Sequence, residues 1–330
     1  MRVLVTGGAG YVGSVSAAAL VEAGHDVVVL DTLVSGHAAA VPAGARLERG
    51  SYTDGRATAA LLARDAIDAV LHCGARSLVG ESIREPALYY RENVAGGIAL
   101  LDAMRAAGVR RIVFSSTAAV YGTPDSTPIP EDAPLRPINT YGATKAAFEG
   151  ALRWYGSAYS LRSVTLRYFN VAGATELHGE DHATETHLIP NILRSVDGGD
   201  QLTVFGTDYP TPDGTCVRDY IHVSDLAGAH LAALEASAPA DRRTDAPLVL
   251  NLGSGGGFSV REVLAAAEAI VGRPIAHHVG DRRAGDPPVL VASNARAAEV
   301  LGWRPRHSSL AEMIGSAWAW RQRHPGGYER

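Results

Sequence analysis

Tyr141 and Lys145 stand four residues apart as Tyr-x-x-x-Lys. On a helix, four residues rise about 6 Å and return to nearly the same face. The spacing therefore predicts an ammonium beside a phenol. A free tyrosine has a pKa near 10, too high for a base at neutral pH. A neighbouring cation, together with a positively charged nicotinamide, would favour the phenolate and lower that value. Such a pair suits proton transfer to and from an alcohol while a hydride moves. Thr117, closing the run Ser115-Ser116-Thr117, offers a hydroxyl to the same substrate oxygen. On its own the spacing also arises by chance on solvated helix faces, so its context decides.

That context is the first thirteen residues. Arg2-Val3-Leu4-Val5-Thr6 reads as a buried parallel strand, and Gly7-Gly8-Ala9-Gly10-Tyr11-Val12-Gly13 follows at once. Val12, Val15, Ala19 and Leu20 then recur at helical spacing, with Gly24 as the helix stop. Strand, glycine turn and helix form the dinucleotide fingerprint. Glycines let the backbone approach a pyrophosphate, and the helix N-terminus offers free N–H donors. Asp26–Leu30 reads as a second strand, with Asp31 at its end, eighteen residues after Gly13. That is the place of the acid that holds a ribose 2′-hydroxyl. A carboxylate there repels a 2′-phosphate, and no Arg follows at Thr32, Leu33 or Val34, so the expected cofactor is NAD and not NADP.

The elements that must position these groups alternate. Residues 58–64 read as helix and 67–72 as strand. Residues 92–107 read as an amphipathic helix with Val94, Ile98, Leu101 and Met104 on its core face, and 111–116 as strand. Residues 141–158 read as helix and 163–168 as strand. The fold class is therefore α/β, a Rossmann-type doubly wound parallel sheet with a smaller C-terminal α/β substrate domain. Residues 122–140, 173–187 and 206–218 have loop composition. The expected division is 1–170 for the NAD-binding domain, joined by a returning segment near 219–252. Residues 171–330 would form the smaller second domain.

Bulk properties bound the rest. The chain has 330 residues, ample for a core, with 46% apolar and 20% charged residues and a net charge of −5. There is no basic run, so no nucleic-acid partner is expected, and no apolar stretch spans a bilayer. Cys73 and Cys216 lack C-x-x-C spacing and read as reduced and non-metal. With no secretory n- and h-region at the start, the expected location is cytoplasmic.

Motifs along the whole chain resemble the extended short-chain dehydrogenase/reductase family and, within it, the UDP-glucose 4-epimerase family. They include Val5–Gly13, Val79-Gly80-Glu81-Ser82, Val120-Tyr121-Gly122, Leu166–Asn170, Val217–Val223, Gly285-Asp286, Trp318-Ala319-Trp320 and His324-Pro325. The resemblance implies catalytic roles for Tyr141, Lys145 and Thr117. It implies cofactor contacts at Gly7, Gly10, Tyr11, Val12, Gly13, Asp31, Ser115, Tyr141, Lys145 and Tyr168. It implies substrate contacts at Thr117, Asn170, His187, Leu188, Phe205, Arg218, Tyr220, Arg283, Asp286 and Leu290. Within that set Phe205 faces the uracil, Arg218 and Arg283 the pyrophosphate, and Asp286 a ribose. Leu290 falls on the position that selects sugar size. By the same resemblance residues 171–330 are the sugar-nucleotide-binding domain. The implied reaction is redox-neutral epimerisation at C4 of a UDP-sugar, with NAD ending as it began. The family is commonly dimeric, which implies a homodimer through helices 92–107 and 141–158.

Ser51 and Ser77 replace an Asp and a Lys found near the cofactor in many members, which points to looser cofactor binding. Val171 replaces a frequent Pro after the Asn, and His187 stands where some members carry Asn. His178, Asp181, His182, Glu185 and His187 cluster in sequence, but their spacing is no recognised ligand pattern and hydride chemistry needs no metal. No metal is therefore expected. A 4,6-dehydratase would need Asp-Glu where Ala118-Ala119 stand, and an NAD(H) sensor would tend to lack the Tyr/Lys pair. Epimerases of UDP-N-acetylglucosamine, UDP-uronic acids or UDP-pentoses differ only in a few pocket side chains.

Overall fold

The computed structural model describes residues 1–198, 201–238, 247–283 and 286–328. Gly285 lies outside the described residues. Valine- and leucine-rich runs form six strands of the N-terminal half: β1 (Arg2–Thr6), β2 (Asp26–Asp31), β3 (Ala45–Arg49), β4 (Ala69–His72), β5 (Arg111–Thr117) and β6 (Arg162–Tyr168). Shorter strands come after them: β7 (Asn170–Ala172), β8 (Leu202–Phe205), β9 (Val217–Arg218), β10 (Tyr220–His222), β11 (Leu248–Leu252), β12 (Phe258–Ser259), β13 (His277–Gly280) and β14 (Val289–Leu290). The first helices are α1 (Tyr11–Glu22), α2 (Gly55–Arg64), α3 (Val79–Arg84), α4 (Pro86–Tyr89), α5 (Gly96–Ala106) and α6 (Thr140–Tyr159). The later ones are α7 (Leu188–Val196), α8 (Val223–Ala236), α9 (Val260–Val271), α10 (Ala295–Leu301) and α11 (Leu310–Arg323).

The main sheet has seven strands in the order β3-β2-β1-β4-β5-β6-β11, all neighbours parallel. Alternation along β1 shows why both faces must be covered. Val3 and Val5 join Leu20 of α1 and Leu226 of α8 on one side. Leu4 joins Leu61 of α2, Leu101 of α5 and Phe148 of α6 on the other. Strand order reverses between β1 and β4, the place where a doubly wound sheet opens a crevice at its carboxyl edge. A separate core of Ile192, Leu193, Leu202, Val263, Met313 and Ile314 holds the C-terminal layer together. α8 and β11 return to the large sheet, so the chain crosses between the two layers more than once.

One helix departs from its sequence pattern. The chain is helical from Pro86 to Ala106, but Tyr90–Ala95 form a wide π turn. A π turn inserts a residue and rotates the next turns of the helix. Val94 and Ile98 are consequently only half-buried, while Asn93, Gly97, Leu100, Leu101, Ala103 and Met104 face inward.

The helix that carries Tyr141 and Lys145 is fixed at both ends and in its middle. Asn139 caps α6 by accepting the Gly142 N–H at 2.8 Å, and Ser160 ends it in left-handed geometry. Farther along, Glu149 meets Arg167 of β6 at 2.6 Å, with the two side chains 7% and 6% exposed. Glu149 also accepts the Ser116 hydroxyl of β5. Arg167 donates to the Tyr121 hydroxyl at 2.8 Å and to the Glu131 carbonyl at 2.9 Å. Helix, two strands and the long 122–140 loop are thereby tied at one buried point. Removing one partner of such a pair costs about 3–5 kcal/mol, because the other charge stays buried. Urea titration of Arg167→Met should show a loss on that scale, with partial recovery on adding Glu149→Leu. A loss below about 1 kcal/mol, the range of exposed pairs, would mean that this pair does not hold α6.

Candidate active site

A cleft of about 1050 Å³ opens along the carboxyl edge of the sheet. Its dinucleotide side starts at the glycine turn. Gly7 has φ +68°, and a side chain there would lie 2.6 Å from the Gly74 backbone. A Cβ on Gly13 would lie 2.1 Å from the Gly7 carbonyl oxygen, so only glycine lets α1 close onto the turn. Gly7, Gly10, Tyr11, Val12, Gly13 and Asp31 all line the cleft. Asp31 is buried at the end of β2, where its carboxylate accepts the N–H groups of Ala9 at 3.0 Å and Leu33 at 2.8 Å. These bonds fix the acid beside the turn and leave lone pairs for a diol. Ser51 and Ser77 also reach the cleft. Helix N-terminus, close-approach glycines and a fixed acid fit a dinucleotide with a free 2′-hydroxyl.

Tyr141, Lys145 and Thr117 all line the cleft, with the Thr117 hydroxyl beside the Tyr141 phenol. The Lys145 ammonium donates to the Ser115 carbonyl at 2.8 Å and lies 5.8 Å from the Tyr141 ring centre. Burial pushes the Tyr141 phenol up to about 12, with the Thr117 hydroxyl acting in the opposite direction. Burial also pushes Lys145 down to about 8, against Cys73 and Glu149. In the absence of the nicotinamide charge, Lys145 does not lower the phenol. The ammonium is directed at a strand-end carbonyl, and desolvation of the phenol outweighs its neighbours. The remaining positive charge is the one an oxidised nicotinamide brings.

Ser115, expected at the cofactor, does not line the cleft but lies beneath it; its carbonyl takes Lys145 and its hydroxyl meets His230 at 3.0 Å and the Cys73 sulfur at 3.2 Å. Two further supports, His230 and Asn93, carried no sequence signal. Burial holds His230 near 3, hence neutral. Asn93, inside the π turn, bonds Arg76 through both its N–H and carbonyl, and the Thr144 hydroxyl at 3.1 Å. It pins the cleft-lining 74–77 segment to α6. Tyr168 lines the cleft as expected.

On the other side stand Asn170, Arg218, Arg283, Asp286, Leu290 and His187. Arg218 and Asp286 pair with each other, so the guanidinium expected at the pyrophosphate is held by the very acid expected at a ribose. The Arg283 guanidinium sits 4.1 Å from the Phe205 ring centre; Phe205 reaches the cleft only through that cation. Tyr220 and Leu188 do not line the cleft. Tyr220 is buried and Leu188 half-buried in the C-terminal core, because β10 and the first turn of α7 turn those side chains inward. Leu290 lines the cleft and also packs against the Phe169 and Tyr121 cluster.

The loop before α7 holds a different cluster from the one its sequence suggests. His178 is buried and bonds Thr175. Asp181 accepts the Tyr328 N–H at 3.0 Å and faces His37. Glu180, which no sequence signal marks, instead joins His182, Glu185 and His187. Burial lowers both imidazoles, but Glu180 and Glu185 outweigh it and hold His182 near 9 and His187 near 10.

A parallel dinucleotide sheet with Tyr141, Lys145 and Thr117 lining the cleft at its carboxyl edge is the arrangement of a nicotinamide-dependent enzyme of alcohol–ketone chemistry. The chain belongs to the NAD dependent epimerase/dehydratase family, whose profile matches residues 3–253. It is 50% identical to a UDP-glucose 4-epimerase of Corynebacterium glutamicum over 320 residues, covering 97% of this chain and 95% of that one. It is also 50% identical to the UDP-glucose 4-epimerase of Streptomyces lividans, covering 99% and 98% of the two chains. The crystal structure of UDP-glucose 4-epimerase from Brucella ovis in complex with NAD superposes with a TM-score of 0.92 at 44% identity, over 96% and 97% of the chains.

Proposed function

We propose that the protein interconverts UDP-glucose and UDP-galactose by reversible, redox-neutral epimerisation at C4, with bound NAD as cofactor. One observation carries this reading: Tyr141, Lys145 and Thr117 stand where the dinucleotide cradle meets a wall bearing two arginines. The names of the relatives agree with it. NAD, when bound, accepts and returns the C4 hydride. Gly7, Gly10, Gly13 and Asp31 would hold it. Tyr141 takes the proton from the sugar 4-hydroxyl and later returns it, while Lys145 supplies a neighbouring cation. Thr117 hydrogen-bonds the same oxygen. Arg218 and Arg283 suit a pyrophosphate, since guanidinium groups pair bidentately with phosphate. Asn170 and His187 border the sugar nucleotide. Elimination of water would need an acid and base beside Thr117, where Ala118 and Ala119 present only methyl groups to the cleft.

In this reading residues 1–170, with α8 and β11, serve the dinucleotide, and the remainder of 171–330 serves the sugar nucleotide. A homodimer fits the exposed Tyr90, Trp154 and Tyr159 on the α5–α6 side. Among the described residues no helix is long and apolar enough to cross a membrane. The two free cysteines fit a reducing cytoplasm.

Tyr141→Phe keeps the ring and removes the proton carrier. Epimerisation should fall at least about a hundredfold, the scale of general acid–base loss, with NAD still bound after purification. Near-normal turnover would refute the assignment of Tyr141.

Other UDP-sugars form the second reading, and Leu290 is the residue that bears on it. A hydrophobic pocket discriminates a few atoms by about 1–3 kcal/mol. UDP-galactose should therefore turn over efficiently and UDP-N-acetylgalactosamine weakly. Leu290→Ser should raise the second relative to the first, and Leu290→Tyr should lower it, in kcat/KM. An unmoved ratio in both variants would remove Leu290 from the sugar pocket.

A further inference from the structure

The proton-transfer scheme leaves Glu180, His182, Glu185 and His187 unexplained. They occupy the loop that walls the substrate side of the cleft and ends at the first turn of α7. One imidazole nitrogen or carboxylate oxygen from each lies within 4.8 Å of all the others. His187 Nδ1 is 2.8 Å from Glu180 Oε1 and 2.8 Å from Glu185 Oε1. His182 Nδ1 is 3.2 Å from Glu180 Oε1 and 3.3 Å from Glu185 Oε2. The Glu180 and Glu185 side chains are only 8% and 1% exposed.

Hydrogen bonding does not account for this arrangement. Each Nδ1 carries at most one hydrogen, so two rings offer two protons to four short nitrogen–oxygen contacts. The two buried carboxylates need two positive charges, which the imidazoles bring only when both are protonated and which a bound dication brings when they are neutral. A dication at the centre answers both demands. Zinc bound to nitrogen and oxygen at roughly 2.0–2.2 Å sets neighbouring ligand atoms about 3.3–3.6 Å apart in a tetrahedron. The two shorter nitrogen–oxygen contacts need only a small outward relaxation to reach that, and the two longer ones are already close to it.

We propose that Glu180, His182, Glu185 and His187 form a closed site for a borderline divalent transition ion, zinc fitting best. Two imidazoles and two carboxylates are the ligand set for such an ion; calcium and magnesium take oxygen shells instead. Outer contacts orient the ligands: Glu185 Oε1 accepts the N–H groups of Thr186 at 2.7 Å and His187 at 2.8 Å. Four protein ligands leave no open position, so the ion is structural. It would clamp the 180–187 loop against the substrate. This replaces the sequence expectation of no metal. The spacing Glu-x-His-x-x-Glu-x-His matches no familiar pattern, and two of the five residues singled out in the sequence turn elsewhere.

The test uses the full-length, NAD-containing protein, stripped with a chelator and dialysed against zinc. Elemental analysis should find one zinc per chain. His182→Gln and Glu185→Gln should each weaken uptake by more than the roughly 10–100-fold that loss of an outer-shell partner costs. Cobalt in place of zinc should give the strong visible bands of a four-coordinate ion without a thiolate charge-transfer band. If the variants fail to fold, the cobalt spectrum of the unaltered protein decides alone. Absence of stoichiometric uptake, undiminished uptake by both variants, or a six-coordinate or thiolate cobalt spectrum would overturn the site.

Discussion

The buried contact between Glu149 and Arg167 is the constraint on which the rest of the site depends. Tyr141 and Lys145 lie on the same helix, two turns and one turn before Glu149. A helix docked only by its apolar face could slide or roll by a fraction of an ångström, and a proton-transfer geometry does not tolerate that. The ion pair fixes α6 against β5 and β6 at one height. Through Tyr121 it extends to Asn251 on β11, bonded at 2.7 Å. Tyr141 and Lys145 thus stand on a helix whose register is set by charge, while loops supply much of the cleft wall.

That rigidity carries an electrostatic cost which the reaction exploits. The same burial that holds Tyr141 and Lys145 in place disfavours the charged form of each, raising the phenol and lowering the ammonium. In the cleft without its dinucleotide the phenol therefore keeps its proton. A positive charge arriving beside the pair favours release of that proton to give the phenolate. With Tyr141 as the proposed proton carrier, proton transfer is coupled in this way to the oxidised state of the dinucleotide, which suits chemistry that must begin by oxidising an alcohol.

The parts legible in the sequence are those set by local rules. The glycine turn, the valine-rich strands and the acid ending β2 each follow from backbone sterics or periodicity, and each lies where expected. Tyr141 and Lys145 were readable because a four-residue step on a helix has only one geometry. The illegible parts were set by tertiary contacts. The π turn at Tyr90–Ala95 displaces Val94 and Ile98 because Asn93 is drawn inward to Arg76 and Thr144. Tyr220 and Leu188 entered the core because the strand and helix bearing them turn toward α9 and α11. The pairing of Arg218 with Asp286, and the choice of Glu180 over Asp181, depend on loop paths that residue spacing does not encode.

The central claim is that the C4 hydrogen leaves the sugar as a hydride and returns to the same carbon inside the closed cleft. Its most direct test is to supply UDP-galactose carrying deuterium at C4, in ordinary water, and to locate the label in the UDP-glucose formed. The expected result is essentially complete retention of deuterium at C4 over many turnovers. Washout of the label into solvent would contradict hydride transfer, and with it the roles of Tyr141, Lys145 and the dinucleotide cradle.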